Sequence, residues 1–300
     1  MKALAEVLAL TTNQFTQIDV EYEQEFGVLW GYMNPHPRPT FNSDLLREAR
    51  AFGDAIERDG GATWSGRAEA KVNYVVAASK VSGVFNLGGD LSLFREAIRT
   101  QDRLALIDYG DACIDNVYRW NTSFNRPLTT IALVQGDALG GGFESALSAS
   151  VLIAEETARL GFPEILFNLF PGMGAYSLLS RKVGARIADE VITSGLVYSA
   201  GDLREMGIVD IVTPQGAGEA GVYEYISKHQ RSANGRRALE AVKRQVNPLT
   251  RSELSTVLNI WVDAALRLSD RDLRMMERLV RAQDRTGTKL ASVPSLQSVA

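Results

Sequence analysis

The chain has 300 residues, with 32 Lys/Arg against 36 Asp/Glu and a net charge of −4. That is enough chain to bury a large core, and too little basic excess for a general binder of nucleic acid or anionic membrane. Cys113 is the only cysteine and His36 and His229 the only histidines, which excludes a disulfide framework and a thiolate zinc cluster. No metal and no cofactor are expected. The start of the chain lacks a basic segment followed by an apolar core, and no apolar run is long enough to span a bilayer, so the expectation is a cytoplasmic protein without membrane insertion.

The predicted elements begin with a hairpin in FTQIDVEYEQEFGVLWGYM (15–33), two short alternating runs around a turn. A proline-broken loop follows. Ser43 is then expected to cap a helix carrying Leu45, Ala49, Phe52 and Ile56 at helical spacing, stopped by Gly60 and Gly61. VNYVVAA (72–78) is a continuous apolar run, as in a strand buried on both faces. A helix over about 102–119 would turn Leu104, Ile107, Ile114 and Val117 inward. IALVQG (131–136) and VLIAEE (151–156) are two further buried strands. Strand and helix in alternation predict an α/β architecture.

Beyond about residue 215 no strand pattern remains, and helices are expected near 217–229, 233–246, 251–268 and 270–286, the last capped by Ser269 or Asp270. The final stretch, 288–300, reads as a disordered tail. The organisation is thus an α/β body over 1–215 with a helical domain over 216–300. Residues 231–290 carry 13 Lys/Arg against 7 Asp/Glu, so a basic C-terminal part balances an acidic remainder. A solvated helical surface explains this, and so does a docking face for an acidic partner.

Gly140, Gly141 and Gly142 run together into a helix, which costs stability unless the backbone itself is needed. The sequence has no G-x-x-x-x-G-K-[ST] loop, no G-x-G-x-x-G in βαβ context and no G-x-S-x-G elbow. Bare N–H groups at a helix start can instead stabilise a developing oxyanion, at ~3–4 kcal/mol for one donor. Tight helix–strand packing is the alternative. FNLGGDL (85–91) repeats the pattern after another buried strand, so two glycine-opened turns can supply the two donors of an oxyanion hole.

FNLGGDL, IALVQGDALGGGFESALSASVLIAEE, ARLGFPEILFNLFPGMGA and LVYSAGDLREMGIVDIVTP, in that order over about 72–215, resemble the crotonase (enoyl-CoA hydratase/isomerase) superfamily. VFNLGGDLSLF, PEILFNLFPGMGAYS, IWVDAALRL and RMMERLVRAQDR extend the likeness toward the diffusible-signal-factor synthases of bacterial quorum sensing. The resemblance implies a spiral of ββα units with a C-terminal helical domain for covering the acyl pocket and assembling an oligomer, such as a trimer. It implies oxyanion donors at Gly89 and Gly141 and an acid/base pair at Glu144 and Glu164.

Glu164 in apolar LGFPEILF should have its pKa raised by desolvation. For dehydration it is assigned the base at Cα, with Glu144 the acid toward the hydroxyl. The reverse assignment stays open, and Glu144 alone also reads as helix-dipole stabilisation. Leu139, Met173 and Trp261 are the acyl-pocket candidates, Trp261 equally a core residue, and Asp90 reads as a helix cap. The signal-synthase likeness further implies dehydration and thioester hydrolysis of a 3-hydroxyacyl group on acyl carrier protein, releasing a cis-2-unsaturated fatty acid. It also implies a possible cognate sensor kinase as partner. An ordinary hydratase using CoA esters, or an idle scaffold that binds a regulator, are the alternatives. Carrier proteins are acidic, so Arg236, Arg237, Lys243, Arg244, Arg274, Arg278 and Arg281 are candidate steering residues.

Overall fold

The computed structural model describes residues 15–60 and 71–291. The predicted hairpin is there: β1 (Ile18–Glu23) and β2 (Val28–Met33) pair antiparallel, turning at Gly27 with φ 70°. Helix α1 (Ser43–Asp59) follows. Its cap is Asn42 rather than Ser43: the Asn42 side chain accepts from Leu45 N–H at 2.8 Å, while Ser43 is already helical. Gly60 ends the helix in the left-handed conformation, and Gly61 lies outside the described residues.

The chain then repeats one unit. β3 (Tyr74–Ser79) leads to β4 (Val84–Asn86) and α2 (Leu91–Arg99). After α3 (Arg103–Asn121), β5 (Thr129–Val134) leads to β6 (Asp137–Leu139) and α4 (Gly141–Leu147). β7 (Val151–Glu155) leads to β8 (Arg159–Gly161) and a 3-10 turn over Pro163–Phe167. In each unit the first strand joins a six-stranded sheet, ordered β1-β2-β3-β5-β7-β10, and the second joins a four-stranded sheet, ordered β4-β6-β8-β9. The predicted α/β class and ββα spiral are what the chain adopts.

The remaining elements are α5 (Ala175–Val183), α6 (Ala185–Ser194), β9 (Val197–Ser199), α7 (Ala200–Glu205), β10 (Ile211–Thr213), α8 (Gly218–His229), α9 (Ala233–Val246), α10 (Arg251–Ala265) and α11 (Asp270–Ala291). Five strands of three residues each, β4, β6, β8, β9 and β10, went unpredicted, being too short to show a hydrophobic period. The four last helices fall where expected, Ser269 closing α11 by exchanging bonds with Asp272. Helix α11 takes in Thr288–Ala291, the front of the predicted disordered tail, and 292–300 lie outside the described residues. No helix among the described residues is long and apolar enough to cross a membrane.

Side-chain alternation divides the core between the two faces of the large sheet. Trp30, Tyr32, Tyr74 and Val76 face Val222 and Ile226 of α8. Leu29 and Val75 face Phe52 and Ile56 of α1. Helix α3 buries Leu106, Tyr109, Ile114 and Val117, but Leu104 is 70% exposed. Asp102 caps α3, which places Leu104 in the first turn, outside the inward stripe, and Ile107 is only half-buried. Helix α10 lies along α3, and the two meet at Gly110, where a Cβ would stand 2.2 Å from Leu258 Cδ1.

Candidate active site

Three parallel neighbours in the small sheet, β4, β6 and β8, end on the same side. Each short strand hands over at once to a turn: β4 to Gly88-Gly89, β6 to Gly140-Gly141, β8 to Phe162-Pro163-Glu164. Backbone pairing of the strands therefore brings residues from three distant stretches together at their carboxyl ends, a usual place for ligands in α/β sheets. Ring stacking of Phe143 on Phe162, centroids 4.8 Å apart, ties the second turn to the third.

The glycine triplet separates into three different needs. Gly140 has φ 52°, and a Cβ there would stand 2.3 Å from Glu164 Oε1. Gly142 would drive a Cβ to within 2.0 Å of the Asn86 carbonyl oxygen of β4, so it permits close helix–strand packing. Gly141 has ordinary room, yet a Cβ on it would lie 3.5 Å from Gly89 N. Gly89 and Gly141 line one cavity, and among the described residues neither N–H is paired with an acceptor. Gly88, at φ 90°, shapes the first turn, its N–H donating to Asn86 Oδ1 at 2.8 Å. Asp90 caps α2 through Ser92 and Leu93 N–H and is paired with Arg38.

Glu144 sits in the first turn of α4 and is 2% exposed. Its Oε1 accepts from Met173 N–H at 2.8 Å and Ala175 N–H at 2.9 Å, at the start of α5. Burial raises its pKa to about 7, opposed by those backbone donors. Glu164 as a whole is part-exposed, but its Oε2 is sealed from solvent and has no partner among the described residues. Burial, and then the Glu144 charge, raise its pKa to about 8. Both carboxyls are thus raised toward the neutral range; the N–H donors favour the charged form of Glu144, and Glu164 Oε2 has no such donor among the described residues.

An apolar cavity of about 100 Å³ opens beside Gly89, Gly141 and Glu144; Glu164, whose carboxyl lies against Gly140, is not among the residues that line it. Gly89, Gly141, Glu144, Met173 and Trp261 line its head, so the two predicted pocket residues Met173 and Trp261 are in place. Trp261 also packs edge-on against Phe94, centroids 5.1 Å apart, serving the core as well. Leu139 does not line the cavity. It is the last residue of β6, paired with Gly161, and its carbonyl lies against Gly88. Its nearness to the glycines in sequence does not point its side chain the same way.

Tyr109 is a site residue that sequence reasoning missed. Its hydroxyl donates to Phe41 O and accepts from Asp90 N–H at 3.3 Å, bracing the Gly89 turn. The inward stripe of α3, from Leu106 to Val117, would have revealed it had the helix been phased correctly. Ser145 and Asn116 also line the cavity, and Cys113 lies in it with a thiol whose pKa burial pushes up. His36 and His229 take no part: one contacts Gln17, the other packs its ring tilted against Tyr225.

Chemically, two free N–H groups beside two carboxylates of unequal proton affinity can hold a thioester oxygen as its α-carbon gains or loses a proton. The chain is similar to several known proteins. Methylglutaconyl-CoA hydratase of rat mitochondria is 26% identical over 205 residues, 68% of this chain and 60% of that enzyme. The alpha subunit of the fatty acid oxidation complex of Pseudomonas syringae pv. tomato is 32% identical over 176 residues, 58% of this chain. The match spans only 22% of that subunit, so the chain covers less than two thirds of either relative. The crystal structure of an enoyl-CoA hydratase/isomerase from Xanthobacter autotrophicus Py2 superposes with a TM-score of 0.70 at 26% identity, over 94% of this chain and 100% of that one. The sequence model for enoyl-CoA hydratase/isomerase matches residues 64–274, and the chain belongs to that family.

Proposed function

We propose that this chain interconverts 3-hydroxyacyl and 2-unsaturated acyl thioesters by removing or adding water. The observation that carries this reading is the placement of buried Glu144 with two acceptor-free amides in one cavity, with the Glu164 carboxyl, its Oε2 sealed from solvent, near enough to feel the Glu144 charge. In the hydration direction, charged Glu144 takes a proton from water as the water oxygen bonds to Cβ. Electron density moves to the thioester oxygen, held by the Gly89 and Gly141 N–H groups. Glu164 then delivers its proton to Cα. Dehydration reverses each step, with Glu164 as base at Cα and Glu144 as acid toward the leaving hydroxyl. The proton count on the pair is the same in both directions, so one bell-shaped pH profile serves both.

The finer reading is synthesis of a cis-2-unsaturated fatty-acid signal from 3-hydroxyacyl carrier protein, with hydrolysis of the thioester at the same site. Its support is the run of stretches that resemble the signal synthases, together with the exposed Arg236, Arg274 and Arg278, which have no ion-pair partner among the described residues. Other members of the proposed basic face are engaged locally. Arg237 donates to Asn73 O, Arg244 to Ser123 Oγ, Lys243 pairs with Glu240 and Arg281 with Glu277. The relatives named as CoA-ester hydratase and fatty-acid-oxidation subunit favour a CoA carrier instead.

Purified protein given 3-hydroxydodecanoyl carrier protein and, in parallel, its CoA ester separates the two by mass spectrometry. Free cis-2-dodecenoic acid from the carrier-protein substrate is the result expected for a signal synthase. A product that remains a CoA thioester, with no turnover on carrier protein, leaves hydration alone.

A further inference from the structure

The cavity continues far past the reacting groups. Along α3 its lining runs from Tyr109, beside Gly89, to Trp120, eleven residues on. At the α-helical rise this is a path of ~16 Å. Its far end lies over the large sheet, and the strand register there explains why there is room. Gly31 of β2 pairs with Ala77 of β3, and Ala77 with Ala132 of β5, so three small residues form one row across three strands. The row to one side carries Leu29 and Val75, the row to the other Met33 and the smaller Ser79. Gly31 and Ala77 of this row line the cavity and Ala132 does not, so a trench crosses β2 and β3, roofed by Ala49 and Phe52 of α1, both of which line the cavity.

Gly31 is the informative member. Its φ lies outside the positive region, so the backbone does not require glycine there. A glycine inside a strand weakens the strand, and a Cβ at this position would meet Phe52 Cζ at 3.3 Å. The missing side chain serves space rather than conformation. Apart from Asn116, which donates to Ala112 O, the deep part of the cavity presents only apolar side chains.

We propose that Gly31 and Ala77, faced by Ala49, are the residues that set the longest acyl chain the protein accepts, the distal methyl end coming to rest in their trench. This rests on the reading that a thioester oxygen sits at Gly89 and Gly141, which fixes the head of the chain.

The test is kcat/KM for 2-butenoyl, 2-octenoyl and 2-dodecenoyl thioesters, in wild type, Ala77→Leu and Gly31→Ala, beside calorimetric binding of dodecanoate and butanoate. Three added carbons in Ala77→Leu displace about three methylenes of tail, each worth roughly fourfold, so dodecenoyl turnover should fall roughly 50-fold. Gly31→Ala should lose roughly fourfold on dodecenoyl, and neither change should alter butenoyl turnover. Equal losses at every length, or none at dodecenoyl, would overturn the assignment. Should no thioester react with any variant, the proposed function fails, and binding still decides the trench. Dodecanoate that binds wild type and is weakened by Ala77→Leu upholds it, whereas binding indifferent to residue 77 refutes it. If Ala77→Leu shows no cooperative melting, Ala49→Val fills the same space from the helix side and is read in the same way.

Discussion

The two sheets divide the labour of the molecule by strand length. The large one has strands β1, β2, β3 and β5 of six residues, buried almost throughout β2 and β5, with helices on both faces. The small one is made only of three-residue strands, which bury few residues each, Phe85 the largest of them. Those short strands are what the chemistry needs. A strand that stops after three residues exposes the next amide or side chain at a fixed height, and parallel neighbours set three such ends side by side. The difference teaches that stability and reactivity reside in separate layers of one spiral: the long strands hold the frame while the short ones aim the backbone.

The most severe test of that division acts on the carboxylates. Glu144→Gln and Glu164→Gln should each lower kcat/KM for hydration of a 2-enoyl thioester by roughly 10²–10⁴-fold while leaving the melting temperature intact or higher. The double variant should be little worse than the worse single, since the two act as a unit. A variant that keeps a tenth of the wild-type rate would place the chemistry elsewhere.

The adjacent glycines sharpen the same contrast. Gly141→Ala meets only ordinary contacts, so the fold should persist, but the new methyl stands 3.5 Å from Gly89 N, where the substrate oxygen must go. The N–H of residue 141 is kept, but an oxygen pushed out of reach of the two donors predicts a fall in kcat of about 10²–10³-fold without change in melting. Gly142→Ala instead collides with the Asn86 carbonyl at 2.0 Å and should destabilise the fold by about 1–3 kcal/mol. Thermal melts and initial rates on the two purified variants check both halves. Equal behaviour of the two would erase the distinction drawn between them.

How much of this was legible in the sequence follows the same line. Short, largely apolar runs announced β3, β5 and β7, and the alternation of 15–33 announced the hairpin. Three-residue strands carry no period, so the small sheet was invisible even though its glycine turns were conspicuous. Asn42 was passed over for Ser43 because two adjacent residues can both cap, and only the direction of the side chain decides. Leu104 went astray with the phase of α3, and Tyr109 was lost with it. The apolar setting of Glu164 signalled a raised pKa. Which of the two glutamates keeps the proton depends on the Met173 and Ala175 amides, about thirty residues away, and no local pattern encodes that.

Proton affinity gives the smallest but most specific prediction. In the unfolded chain Glu164 ionises near the ordinary glutamate value, whereas in the folded protein its pKa is raised to about 8. The folded state therefore binds more protons than the unfolded state between about pH 4.5 and pH 8, and stability falls as pH rises through that window. Below it both states are protonated, and Glu164 imposes no penalty. Gln at this position removes the buried charge and should stabilise the protein by on the order of 2 kcal/mol at pH 8.5, and by almost nothing at pH 5. Urea unfolding of wild type and Glu164→Gln at the two pH values measures the difference directly. A stability gain that does not vary with pH would mean that the carboxylate is not held away from water, and with it would go the reason for Glu164 to carry the proton that the reaction delivers to Cα.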